Sequence, residues 1–112
     1  MCLIVFAWHV LPGVPVIAAA NRDEFYDRPA TPAGPWLDAP HVIAGRDLQG
    51  GGSWMGVSLA GSNGPRFAAL TNIRAPDERR LDAPSRGALV ADFLREDVTA
   101  PDYLRRIVER GD

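Results

Sequence analysis

The chain has 112 residues, of which 46% are hydrophobic and 23% charged, ordinary proportions for one globular domain with a real core. Twelve basic against fourteen acidic residues leave a net charge of −2, with Arg scattered among Asp and Glu, so neither a nucleic-acid footprint nor a polybasic membrane patch is present. A single cysteine rules out an internal disulfide and fits a reducing, cytoplasmic setting.

Residues 2–20 are apolar, but no basic segment precedes them, and Pro12, Gly13 and Pro15 interrupt them short of a membrane-spanning length. They read as two strands and a turn, with no membrane insertion. Cys2 to Val10 is apolar on both alternating faces, which predicts a strand covered on both sides. Leu11 to Pro15 is the turn, and Val16 to Asn21 the returning strand. Residues 25–40 carry four prolines and read as a loop with some extended character. His41–Ala44 and Ser53–Ser58 are short strands, the second following a triple glycine read as a tight turn. Asn63-Gly64 signals a hairpin, with Phe67–Ile73 as the partner strand and 74–84 as a charged loop.

Two amphipathic helices follow. Ser85 is the expected cap of the first, whose stripe is Leu89, Val90, Phe93 and Leu94. Thr99 caps the second, with Pro101 in its first turn, Asp102 reaching back, and Gly111 at its end. Its stripe is Tyr103, Leu104, Ile107 and Val108. The expected class is α+β: four or five antiparallel strands, with two helices covering one face. The other face then needs a second sheet, from later sequence or from another copy in a homo-oligomer. On this reading residues 1–112 are a partial domain.

The chemistry centres on Cys2. Initiator methionine is removed when a small residue follows it, and Cys2 would then hold a thiol and a free α-amine together. A neutral amine can draw the thiol proton, so the nucleophile supplies its own base. If the first turn centres between Pro12 and Gly13, paired residue numbers add to 25 and Cys2 faces Asp23, with Arg22 beside it. Opposed residues have Cβ atoms ~4.5–5.5 Å apart. Arg there would favour the thiolate, and Asp would orient the ammonium. A register slip of one residue exchanges the two. The plainer alternative is a small apolar cysteine in a strand and a solvated polar turn. His9 and His41 are too few and too separated for a metal site, and no cofactor is indicated.

Met1-Cys2-Leu3-Ile4, Ala20-Asn21-Arg22-Asp23-Glu24, Gly51-Gly52-Ser53-Trp54-Met55-Gly56, Leu70-Thr71-Asn72-Ile73-Arg74 and Ser85-Arg86-Gly87 occur in order. Together they resemble the NRDE family, also called the transport and Golgi organisation protein two family, over nearly the whole chain. Members of that family are considerably longer, so the resemblance implies an N-terminal half.

The resemblance further implies an Ntn-hydrolase-like αββα fold of the choloylglycine and penicillin V acylase type. By motif matching, Cys2 would be the nucleophile of a small-amide hydrolase and Arg22 the group stabilising its thiolate. Asp23 would hold the amine, and Asn72 would donate to the oxyanion, a contribution of ~3–4 kcal/mol. Arg22 and Asp23 are adjacent here, where the acylases leave two residues between them. The resemblance equally implies an alternative: a non-enzymatic carrier or chaperone for haem, a lipid or acyl-CoA as hydrophobic ligand.

Overall fold

The computed structural model describes residues 1–73 and 82–111; Arg74 and most of the charged loop expected at 74–84 lie outside them. The described residues form six strands and two helices, β1 (Leu3–Leu11), β2 (Val14–Asn21), β3 (Ala30–Pro35), β4 (Val42–Asp47), β5 (Met55–Ser58), β6 (Arg66–Ala69), α1 (Gly87–Arg95) and α2 (Ala100–Arg110). All pairings are antiparallel, in a two-stranded sheet β1-β2 and a four-stranded sheet β3-β4-β5-β6. The α+β class is as expected, with one strand more. That strand is β3, from the proline-rich segment. It holds the sheet edge, and its pairing is irregular between Thr31 and Gly34, where Pro32 has no N–H to give.

Alternation along β4 sends Val42 and Ala44 to one face and Ile43 and Gly45 to the other. The first face meets α1, whose Val90, Ala91, Phe93 and Leu94 are buried with Trp36, Val42, Ala44 and Tyr103. Gly56 admits Leu94: a Cβ there would stand 2.5 Å from that of Ala44 and 3.0 Å from Leu94 Cδ1. The expected pair of helices on the sheet is corrected. Among the described residues α1 makes the main contact with the sheet; α2 packs on α1 through Tyr103, whose ring sits 5.3 Å from Phe93 and whose hydroxyl donates to Leu89 O at 2.8 Å. Leu104 and Val108 consequently stay exposed.

The caps follow the residue types. Thr99 Oγ1 accepts from Asp102 N–H and donates to the Asp102 carboxylate, Pro101 sits in the first turn, and Gly111 takes φ 74°. Ser85 lies one residue before the N-cap position and accepts from Gly87 N–H at 3.3 Å. The C-terminus of α1 is held by buried Arg66, which donates to Phe93 O, Leu94 O and Val98 O and to Ser58 Oγ. A cation at this end also meets the negative pole of the helix. The triple glycine is a tight turn: Gly51 N–H donates to Asp47 O, and Asp47 N–H to Gly52 O.

The two-sided burial expected for β1 is not found. Leu3, Val5, Phe6, Trp8 and Val10 are all more than half exposed: the hairpin forms its own two-stranded sheet, and among the described residues no element covers these side chains. Its register also differs from the expectation. Leu11 pairs with Val14, as a turn at Pro12-Gly13 requires, but from Trp8↔Val16 to Leu3↔Asn21 the register has moved by one. The shift lies between Trp8 and Leu11, where His9 takes a positive φ of 51°, the mark of a β-bulge. Continued to the chain start, this register sets Cys2 opposite Arg22 rather than Asp23.

Candidate active site

The open end of the β1-β2 hairpin meets the sheet on the side away from α1. There Cys2, Ile4, Ala20, Asn21 and Arg22 line a small cleft together with Trp54, Met55, Leu70 and Asn72. Three of the four residues singled out in the sequence, Cys2, Arg22 and Asn72, therefore share one cleft. The fourth is bonded to the first: Asp23 N–H donates to Cys2 Sγ at 3.3 Å. The Asp23 carboxylate pairs with the Met1 ammonium. The slipped register thus separates the strand partner from the polar partner. Arg22 takes the facing position, and Asp23 reaches the sulfur from just beyond the ladder through its backbone.

Cys2 is half-buried, a free thiol at the cleft wall. Asn72 lies three residues past β6. The expected strand to Ile73 ends at Ala69, with Leu70 N–H still bonded to Trp54 O, and the irregular segment after it carries Asn72 to the cleft.

Arg22 is placed by residues outside the four site candidates. Its guanidinium stacks 4.4 Å from the centre of the Trp54 ring. Trp54 in turn rests on Gly45, where a Cβ would stand 2.6 Å from its indole. A side chain at position 45 would meet the indole, so glycine there lets Trp54 pack against β4, and Gly45, Trp54 and Arg22 follow one on another. Arg22 Nη2 also lies 4.0 Å from the Asp47 carboxylate. Asp47 is buried and bound chiefly by Arg28, at 2.6 Å, and Arg28 also pairs with Glu24 at 3.8 Å. The bond from Arg28 holds the Asp47 carboxyl below its ordinary range against the opposing effect of burial, with help from Gln49 and Gly50 N–H groups. Arg28 is raised in turn, by the same bond. The sequence signal for Trp54 was the Gly-Gly-Ser-Trp motif; nothing local pointed to Asp47, which is brought near Arg22 only by the docking of the hairpin.

In the sequence Asn21 ends a strand and belongs to the Ala20–Glu24 motif, with no role of its own. Its carboxamide holds the chain start, accepting from Leu3 N–H and donating to Met1 O, each at 2.9 Å. The histidines stand apart from the cleft. His9 is exposed at the bulge, and His41 Nε2 lies 3.1 Å from Arg95 O. Among the described residues no group of three or more His, Cys, Asp or Glu is placed to hold a metal, and no helix is long and apolar enough to cross a membrane.

The sequence profile of the Transport and Golgi organisation 2 family matches residues 1–112. The chain belongs to that family. It is 40% identical over 118 residues to the Transport and Golgi organization protein 2 homolog of Bos taurus, covering 99% of this chain and 41% of that one. It is 37% identical, with the same coverage, to the Mus musculus homolog. Similarity to the Drosophila melanogaster protein is 36% over 100 residues, covering 84% of this chain and 35% of that one. The chain thus spans well under half the length of these relatives.

Proposed function

We propose that this chain carries the nucleophile of an N-terminal-cysteine hydrolase of Ntn type that cleaves a small amide. The reading rests on one observation above all: Cys2 Sγ accepts from Asp23 N–H while the Asp23 carboxylate pairs with the terminal ammonium, in the cleft that also holds Arg22 and Asn72. After loss of Met1, the Cys2 amine becomes the ammonium beside Asp23. In its neutral form that amine draws the thiol proton, and the thiolate attacks the amide carbonyl. Asp23 N–H and the positive charge of Arg22 stabilise the thiolate. Asn72 donates to the developing oxyanion. The leaving amine takes the proton from the Cys2 amine, and water then releases the acid from the thioester. Trp54 and Asp47 keep the Arg22 side chain extended beside the cleft.

The test is intact-mass measurement of the mature protein together with a rate of alkylation near neutral pH. Loss of Met1 and a Cys2 that reacts faster than a model thiol are expected. A retained Met1, or ordinary thiol reactivity, removes the reading.

A second reading draws on the uncovered apolar surface of the hairpin, where Phe6, Trp8 and Val10 are exposed. On it the protein carries a hydrophobic ligand such as haem, a lipid or acyl-CoA. Titration with haem and with acyl-CoA checks this, and absence of saturable binding excludes it.

A further inference from the structure

Asn21 ends β2 opposite Leu3, and its side chain does what the backbone does elsewhere along the hairpin. Oδ1 accepts from Leu3 N–H, and Nδ2 donates to Met1 O. One carboxamide therefore brackets Cys2, gripping the carbonyl before it and the amide after it. The orientation of the group follows from its partners: Leu3 N–H requires the oxygen end, and the Met1 carbonyl requires the nitrogen end.

The Met1 carbonyl has a chemical meaning in this position. Its carbon is bonded to the Cys2 nitrogen and is separated from Sγ only by that nitrogen, Cα and Cβ. Closing the small ring through these atoms is the ordinary path by which an acyl group passes between the nitrogen and sulfur of a cysteine. An acyl carbon on Sγ can therefore be brought to the same side of Cys2 as the Met1 carbonyl, which serves as a stand-in for the acyl group of a substrate. When Met1 is gone, Leu3 N–H still fixes the oxygen end of Asn21. The nitrogen end then faces the space vacated beside Cys2, in the cleft that Asn21 itself lines.

We infer that Asn21 is an oxyanion donor for acyl transfer to Cys2, held in place by Leu3 N–H. The inference rests on the proposed function, since it needs Cys2 as nucleophile. In the step, the thiolate electron pair forms the S–C bond and the carbonyl π pair moves onto oxygen, which accepts from Asn21 Nδ2. The pair then returns, the C–N bond breaks, and the leaving nitrogen takes the proton that the Cys2 amine drew from the thiol. Asn21 and Asn72 approach this oxygen from the hairpin and from the segment after β6.

Two probes separate this role from a structural one. Acylation by p-nitrophenyl acetate passes through an oxyanion; alkylation by iodoacetamide does not. Both rates are measured on the chain with Met1 absent by intact mass, for the parent and for Asn21→Asp, which keeps an oxygen for Leu3 N–H and loses the donor. The ratio of acylation to alkylation is expected to fall on the order of 10²-fold. Asn21→Ala, which has no donor, is read by the same ratio if the aspartate variant does not fold. An unchanged ratio in the folded variant overturns the inference while leaving the nucleophile intact. A parent Cys2 that is alkylated rapidly but never acylated overturns it too. A parent no more reactive than a model thiol toward either probe removes the proposed function, and this inference with it.

Discussion

Gly45 is the residue on which the cleft's geometry turns. It has no side chain, so the Trp54 indole lies on β4 and carries the Arg22 guanidinium above it. Gly45→Ala puts a methyl group where the indole lies, and overpacking of this kind costs ~1–3 kcal/mol. We expect a lower urea midpoint and a shifted tryptophan emission, with slower alkylation of Cys2 as Arg22 leaves its place. Arg22→Lys keeps the charge but loses the planar stack, so it too should slow alkylation while leaving the urea midpoint nearly unchanged.

Asp47 gives the pH dependence. Its folded carboxyl titrates below the ordinary range because of Arg28, so the stability it confers is complete above the unfolded value near ~3.9 and is lost as pH falls through the lower folded value. Urea midpoints should hold between neutral pH and mild acid, then fall below that point, and Asp47→Asn should flatten the fall. Asp38, drawn to about 2 by Arg46 and then Arg95, titrates in the same direction. It is exposed, so its ion pairs add little.

Among the elements, α1 depends on contacts from outside itself. Its N-terminus is pressed against the glycine turn: Ser53 N–H donates to Gly87 O at 3.2 Å, and a Cβ on Gly52 would strike the Gly87 backbone. Its C-terminus is closed by Arg66. Arg66→Met removes four hydrogen bonds at once and leaves helix carbonyls buried without a donor, which costs ~1–3 kcal/mol for a single such group and more for several. A thermal melt of this variant should show a clear loss. Thr99→Ala is the milder comparison, at ~1 kcal/mol for a lost cap.

For the molecule as a whole, the uneven cover of the two sheets is decisive. The four-stranded sheet has α1 on one face, whereas the hairpin is a two-stranded ribbon that, among the described residues, pairs with no further strand and leaves Leu3, Val5, Phe6, Trp8 and Val10 exposed. Such a ribbon is marginal on its own. Amide exchange should therefore be fast along β1 and β2 and slow along β4 and β5. Equal protection in the isolated chain would show that the hairpin is covered, by a second copy or otherwise, and light scattering would tell which.

Much of this was legible locally. Caps such as Thr99 and Gly111, the stripe of α1, the turn at Pro12-Gly13 and the α+β class depend on neighbours a few residues apart, and periodicity and turn chemistry report on those. Hairpin pairing set Arg22 beside Cys2, motif matching added Asn72, and the cleft is lined by all three. What the alternation pattern did not supply was the bulge at His9, because an extra residue in one strand leaves no mark in the apolar run around it; it moved the register by one and exchanged the places of Arg22 and Asp23 opposite Cys2. The Gly45–Trp54–Arg22 stack and the approach of Asp47 join segments far apart in sequence. Apolarity on both faces of β1 shows that the strand favours burial, but whether anything covers it depends on what packs there, and only the tertiary structure decided that.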